Sequence, residues 1–242
     1  MKPYYDHGGI RIYLGDCLEI LPQLPKGWCS TCAVELADEM ILAIHLASGH
    51  AIGPFADVLA CDPQYGIAHP TDYAARGRSN LAACSNYVPV HGDDEAFDPS
   101  HLLALNMPTV LWGGNHYSSR LPDSGGWLVW DKERPDALDQ ATCELAWSNF
   151  VKGVRRFRYL WHGMMRAGDE KLVHPTQNPI ALMKWVLTLK WTPPGAVLDA
   201  YMGGGSTLIA AKDLGRRAIG IEIEERYCEI AAKRLSQEVL QF

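Results

Sequence analysis

The stretch from Ala196 to Glu222 restricts the fold more than any other. An apolar run reaches Asp199-Ala200, three glycines follow at Gly203-Gly204-Gly205, a helical pattern covers Ser206 to Leu214, and Arg217 to Glu222 is again apolar and ends on an acid. Strand, glycine turn, helix and strand in that order are the parts of a parallel crossover unit. They predict an α/β fold, a mostly parallel Rossmann-like sheet with helices on both faces. Glycines at such a turn let the backbone approach a ligand closely. An acid ending the second strand can accept both hydroxyls of a ribose. Three glycines alone are usually only a turn, but Asp199 before them and Glu222 after them point to a nucleoside ligand. The Gly-Lys-Ser/Thr ending that grips a triphosphate is absent. Asp199 also suits a cationic or neutral ligand portion better than pyrophosphate.

The rest of the chain alternates in the same way. Arg11 to Leu14, Phe55 to Cys61, Thr109 to Trp112 and Trp127 to Trp130 read as strands. Leu18, Leu21 and Leu24 mark a helical stretch ending at Pro25 and Gly27. Asn178 is placed to cap a helix that has Pro179 at its first position, with Ile180, Met183, Val186 and Leu187 on its apolar face. Glu225 to Leu240 is the last predicted helix. With 242 residues, 48% of them hydrophobic, residues 1–242 are expected to form a single domain. Met1 to Asp6 is polar and unlike a secretory leader, so a cytoplasmic protein is expected. The uncharged stretch Met40 to Ala56, interrupted by His45, Gly49, His50, Gly53 and Pro54, falls short of the roughly 20 residues of a spanning helix, and no membrane segment is expected. Seven cysteines, an odd number, suggest free thiols or metal ligands rather than a disulfide framework.

A second short stretch, Asp62-Pro63-Gln64-Tyr65, follows the Phe55 to Cys61 strand. By itself it reads as a turn. Taken with the glycine unit, it resembles the Asp-Pro-Pro-Tyr catalytic tetrapeptide of amino-directed DNA methyltransferases, enzymes of adenine N6 and cytosine N4. The glycine stretch resembles their S-adenosylmethionine loop. Catalytic segment before cofactor segment is the permuted, beta-class order, and the chain is similar to small phage-type members. The resemblance implies S-adenosylmethionine as cofactor, DNA as partner and direct methyl transfer to a flipped base, without a covalent enzyme intermediate. It assigns catalysis to Asp62, Pro63 and Tyr65.

The chemistry fits these residue types. An exocyclic amino nitrogen is a poor nucleophile because its lone pair is delocalised into the ring. Acceptors that draw its hydrogens out of plane, the Asp62 carboxylate and the Pro63 carbonyl, stabilise the charge that develops. Tyr65 offers a ring for stacking the extruded base. Gln64 stands where the family has a second proline, which lowers loop stiffness without removing an acceptor.

The resemblance covers most of the chain. Gly15-Asp16-Cys17 is similar to the segment that contacts the cofactor adenine, with Asp16 and Cys17 as contacts, although Asp16 also reads as a helix cap. His174-Pro175-Thr176-Gln177-Asn178-Pro179 is similar to the family's His-Pro-Thr-Gln-Lys-Pro beside the methionine end of the cofactor, with Asn178 in place of lysine. The cofactor set implied is therefore Asp16, Cys17, Thr176, Asp199, Gly203, Gly205, Ser206 and Glu222. Residues 66–170 correspond to the catalytic loop, core strands and target-reading region. There, Trp112-Gly113-Gly114-Asn115 and Trp127 to Lys132 are looser matches. Aspartate as first tetrapeptide residue favours adenine N6, since serine is common among cytosine enzymes. Family relatives are commonly dimers and partners in restriction-modification pairs.

Net charge is −6, an unpromising sum for a nucleic-acid partner. Distribution offers more. Arg155, Arg156 and Arg158 cluster with Lys152, Arg166 and Lys171, and Phe157, Tyr159 and Trp161 interleave with them, a composition suited to phosphate contact and base stacking. These three arginines are the expected DNA contacts.

One insertion, residues 28–54, lies outside the family pattern. Cys29, Cys32, His45 and His50 have the Cys-x2-Cys-x12-His-x4-His spacing of a zinc finger, and Leu36 and Leu42 stand where such a finger keeps its small core. Two readings stay open: a structural zinc, or an amphipathic helix through Leu36, Met40, Ile41 and Ile44 packed on the main body. No Lys or Arg occurs between Lys26 and Arg76, so groove reading by this piece is not expected.

Other functions fare worse. A 5-methylcytosine enzyme needs a nucleophilic cysteine, commonly after proline, and the chain has no Pro-Cys pair. Protein glutamine methyltransferases normally begin their tetrapeptide with Asn and carry the glycines ahead of it. A noncatalytic DNA-binding regulator of the same fold would have no need of Asp62, Tyr65, Asp199 and Glu222.

Overall fold

Nine strands form one mixed sheet in the computed structural model, which describes all residues except 26, 30–33, 37–38, 50–51, 69–88, 136–140, 163–164 and 238–242. In chain order the first half contains β1 (Tyr5–His7), β2 (Ile10–Leu14), α1 (Cys17–Ile20), β3 (Gly27–Cys29), β4 (Val34–Leu36), α2 (Glu39–Ala47), β5 (Ile52–Gly53), β6 (Val58–Cys61), α3 (Ser100–Leu103) and β7 (Thr109–Trp112). The second half contains β8 (Gly126–Asp131), β9 (Cys143–Ser148), β10 (Val154–Arg158), β11 (Trp161–His162), β12 (Met165–Arg166), α4 (Ile180–Thr188), β13 (Val197–Asp199), α5 (Ser206–Asp213), β14 (Ala218–Glu222) and α6 (Glu225–Ser236).

The large sheet runs β1-β2-β14-β13-β6-β7-β9-β8-β10. From β2 to β7 every neighbouring pair is parallel, whereas β9 is antiparallel to both β7 and β8. The inner strands β6, β7 and β13 are buried throughout, as expected of strands covered on both sides. Side chains divide by the twofold alternation of a strand. Val58 and Ala60 join the core beneath α4, α5 and α6, while Leu59 and Cys61 join the opposite core with residues of α1 and α3.

This order creates the crevice that matters. From β6 the chain moves to β7 on one side, while β13 and β14 lie on the other, so connections leave in opposite directions at the β13/β6 boundary. Open α/β sheets bind ligands outside the carboxyl ends of strands at such a reversal. Asp62 follows β6, Asp199 ends β13 and Glu222 ends β14, three adjacent parallel strands.

Several local expectations need correction. The Leu18 to Leu24 helix is only α1 followed by a 3-10 turn at Leu21–Gln23, because Pro22 has no N–H to continue the ladder, and Leu18 is exposed. The second predicted strand begins at Val58 instead of Phe55, and α6 ends at Ser236. Asn178 does not cap α4. Pro179 occupies the cap position, and the Glu170 Oε2 accepts the Ile180 N–H at 2.9 Å in place of a local cap.

The inserted segment forms a separate small sheet, β4-β3-β5, with α2 against β4. Among the described residues, no helix is long and apolar enough to cross a membrane.

Candidate active site

On the side expected to hold the cofactor, the turn after β13 needs glycine. Gly203 and Gly205 have φ of +48° and +80°, in the left-handed region, and a Cβ on Gly205 would lie 2.8 Å from the Ala231 Cβ of α6. Glu222 then fixes the loop from the next strand. Its Oε2 accepts the Gly203 N–H at 2.9 Å and its Oε1 accepts the Glu224 N–H at 2.8 Å. The Gly15 N–H donates to the Glu222 carbonyl at 2.9 Å, which brings Asp16 alongside. Asp16 does cap α1, with its Oδ1 accepting the Leu18 N–H at 2.8 Å. Cys17 is buried, its Sγ 3.7 Å from the His101 Nε2 that Tyr201 Oη also meets at 2.9 Å.

Asp199 is buried and accepts from the Tyr201 N–H and the Thr207 hydroxyl. Burial pushes its carboxyl up to about 7 against the pull of those hydrogen bonds, and the Glu222 charge adds to the rise. Glu222 is also raised, first by burial. The Ser206 hydroxyl at the start of α5 is buried and has no hydrogen-bond partner among the described residues.

On the base side, Asp62 is held by two donors. The Tyr65 hydroxyl donates to Oδ1 at 2.5 Å and the Asn178 amide donates to Oδ2 at 2.9 Å. Burial, then the nearby charges of Glu144 and Asp199, push the Asp62 carboxyl well above the usual carboxylate range, while Lys132 opposes them. Lys132, one residue past β8, forms an ion pair with Glu144 of β9. The Tyr65 ring stacks on His116, centroids 4.8 Å apart, and sits so close to Gly113 that a Cβ there would come within 2.0 Å of it. The buried Asp93 secures the turn, its Oδ1 accepting the Tyr65 and Gly66 N–H groups at 3.0 and 2.9 Å.

One short segment joins the two sides. His174 packs beside the glycine loop, 3.4 Å from where a Gly203 Cβ would stand, and burial lowers its imidazole to about 4, so it is neutral near pH 7. Thr176 is exposed, and its hydroxyl lies 3.2 Å from His174 Nδ1. Four residues after His174, Asn178 reaches Asp62. Glu170 anchors the segment, accepting from Gln177 Nε2 at 2.7 Å and from Arg234 at 3.0 Å, while Arg234 also donates to the Gly204 carbonyl.

The expected DNA contacts lie elsewhere. Arg155, Arg156 and Arg158 are exposed on the edge strand β10, four strands from β6, a separation of about 19 Å at sheet spacing. Arg158 Nε pairs with Asp131 at 3.1 Å, and Arg155 lies over the Trp191 ring at 4.6 Å. The interleaved aromatics have partners within the fold. Phe157 stacks on Trp185, Tyr159 donates to the Ala167 carbonyl, and Trp161 is buried with its indole N–H on the Gln177 carbonyl. Of the three, Phe157 meets α4, through Trp185.

Of the four predicted zinc ligands, Cys32 and His50 lie outside the described residues, Cys29 ends β3 and His45 is on α2. Among the described residues, no group of three or more His, Cys, Asp or Glu side chains is placed to hold a metal.

The donor set fits S-adenosylmethionine. Three carboxylates crowded at adjacent strand ends favour a cationic ligand, and the Ser206 hydroxyl, without a partner among the described residues, and the glycine turn offer polar contact at close range. A DNA methylase family model matches residues 127–233. The Type II methyltransferase M.ScaI of Streptomyces caespitosus is 36% identical over 269 aligned positions, covering 98% of this chain and 84% of that protein. The chain belongs to the N6/N4 DNA methylase family. It is an S-adenosylmethionine-dependent, amino-directed DNA methyltransferase. The Type II methyltransferase M2.DpnII of Streptococcus pneumoniae is 37% identical over 86 residues, 35% of this chain and 32% of that protein. PvuII DNA methyltransferase (cytosine-N4-specific) shares the fold, with TM-score 0.59 and 12% identity across 99% of this chain and 91% of that one.

Several residues that build this methylase site carry no signal of their own in the sequence. Asp93, Glu170 and Arg234 act through long-range hydrogen bonds, and Asn178 reads in the sequence as a helix cap and a departure from the family lysine, not as a partner of Asp62. Gly113 was visible as part of a loosely matching stretch, without a role.

Proposed function

We propose that this methylase modifies the N6 amino group of adenine in DNA. The observation that carries the proposal is the Asp62 carboxylate, held by Tyr65 and Asn178 beside the strand ends that bear Asp199 and Glu222. Asp62 and the Pro63 carbonyl accept the two amino hydrogens and favour a tetrahedral nitrogen, preorganised for the charge that develops. Tyr65 keeps Asp62 aimed and, with its ring packed on Gly113 and His116, forms a wall for the extruded base. Asp199, Glu222, Asp16, Cys17, Thr176, Gly203, Gly205 and Ser206 hold the cofactor, which supplies an electrophilic methyl group when bound. Aspartate at the head of the tetrapeptide supports adenine over cytosine. Exposed Arg156, with Arg155 and Arg158, contacts phosphate at the far sheet edge.

Incubation with duplex DNA and labelled S-adenosylmethionine, followed by nucleoside digestion and mass analysis, tests this reading. Label in N6-methyldeoxyadenosine is the expected result. Label in N4-methylcytosine would reassign the base, and no label in any DNA offered would point to a regulator.

A further inference from the structure

We propose, on the reading that Cys17, Gly203 and Glu222 hold the cofactor, that His101 is a positioning residue of that site, its Nε2 clasping the two segments that flank Glu222. Strand β14 lies between β2 and β13. The segments that follow those two strands, Gly15 to Cys17 and Tyr201 to Gly203, therefore leave the sheet about 10 Å apart at strand spacing. Glu222 ties both of them from the strand between, through its carbonyl to the Gly15 N–H and through its Oε2 to the Gly203 N–H, each at 2.9 Å. His101 ties them a second time. Its Nε2 lies 2.9 Å from the Tyr201 hydroxyl and 3.7 Å from the Cys17 Sγ, residues 100 and 84 positions away.

The imidazole is set up to accept. His101 Nδ1 lies 3.1 Å from the Asp98 carbonyl, which can only accept, so Nδ1 carries the proton and Nε2 the lone pair. Burial pushes the imidazole below its ordinary range, against the charges of Asp98 and Asp16, and the ring is neutral at pH 7. The Tyr201 hydroxyl then donates to Nε2, and the Cys17 thiol meets that hydroxyl as well. The ring is held from below. Asp98 Oδ1 accepts the Ser100 N–H at 3.0 Å at the start of α3, and Leu102 of that helix is fully buried. Buried Phe97 meets both His101 and Tyr201 edge-on, with centroids 5.9 and 5.7 Å apart. A neutral imidazole has one lone pair, and here it faces both walls of the cofactor site. Loss of that acceptor leaves the Tyr201 hydroxyl without its partner and lets the two segments move apart. Cofactor affinity then falls, because the groups they carry no longer hold one spacing in advance of binding.

The test is calorimetric titration of the full-length enzyme with S-adenosylmethionine. His101→Leu, which fills the space without an acceptor, should weaken binding about three- to tenfold, the worth of one such hydrogen bond. His101→Gln, which keeps an acceptor near the Nε2 position, should recover most of the affinity. Tyr201→Phe, which removes a single oxygen, should weaken binding to a similar extent. Combining Tyr201→Phe with His101→Leu should cost little more, because the two share one bond. Parent affinity in His101→Leu, equal weakening in His101→Leu and His101→Gln, or full additivity in the double variant overturns the proposal. If His101→Leu does not fold, Tyr201→Phe decides alone, and parent affinity there overturns the clasp. Glu222→Ala separates this result from the reading of the site. If that variant binds the cofactor as tightly as the parent, the site reading fails and His101 falls with it. If Glu222→Ala loses binding while His101→Leu and Tyr201→Phe keep it, only the role of His101 falls.

Discussion

The cofactor edge and the base edge of the crevice are built differently. Asp199, the glycine turn and Glu222 lie within 24 consecutive residues, and their bonds join neighbouring strand ends. Asp62 instead depends on Asn178, 116 positions away, and its turn depends on Asp93 and Gly113 from two other parts of the chain. The core of the first edge is thus contiguous in sequence, although Arg234 also donates to the Gly204 carbonyl. The acceptor for the base must be assembled from distant pieces, which makes transfer more fragile than cofactor binding.

Substitution of Asp62 should separate the two edges most strongly. Asp62→Ala is expected to lower kcat about 10²- to 10³-fold, the usual cost of losing one preorganised group at developing charge, while the cofactor Kd from calorimetry changes by less than about twofold. Parallel loss of both would break the distinction. Gly113→Ala should come next, lowering kcat by more than about tenfold, because a methyl there overlaps the Tyr65 ring and moves the partner of Asp62. Unchanged turnover in that variant would remove Tyr65 from its positioning role. Asn178→Ala is expected to cost about tenfold in kcat, the worth of one hydrogen bond to a charged group, with cofactor affinity preserved.

The cofactor edge has its own signatures. Gly205→Ala should destabilise the loop by about 1–3 kcal/mol, from its left-handed backbone and the Ala231 contact, and weaken cofactor binding with little effect on the rate at saturation. The smallest effect is on pH. Asp199 titrates near 7, so it is neutral below that value and anionic above it. Affinity for a cationic cofactor should therefore rise roughly threefold or more as pH increases through neutrality, and Asp199→Asn should flatten the curve. A fall in affinity over that range would contradict the sign.

Legibility in the sequence follows the same division. The crossover unit from Val197 to Glu222 was readable because its parts are contiguous and each obeys a short-range rule: apolar run, glycine turn, helical period, terminal acid. Asp62 and Tyr65 were readable as a motif, but the environment that holds them was not. Asn178 looked like a helix cap because local rules see only its neighbours, while the fold gives its amide a distant carboxylate. The aromatics at Phe157, Tyr159 and Trp161 misled for the same reason. Phe157 packs on Trp185 and Trp161 is buried, contacts with distant residues that composition does not encode.

The central claim is that Asp62, Asp199 and Glu222 surround one shared space. Calorimetry of cofactor binding in buffers of different ionisation enthalpy, near neutral pH, tests it most directly, because a cation entering among raised carboxylates must expel protons. Net proton release is predicted for the parent enzyme and is reduced in Asp199→Asn, whose acid titrates near 7 in the parent. A proton count that is zero in the parent, or untouched by the Asp199 substitution, would place these carboxylates outside the cofactor's field and contradict the account.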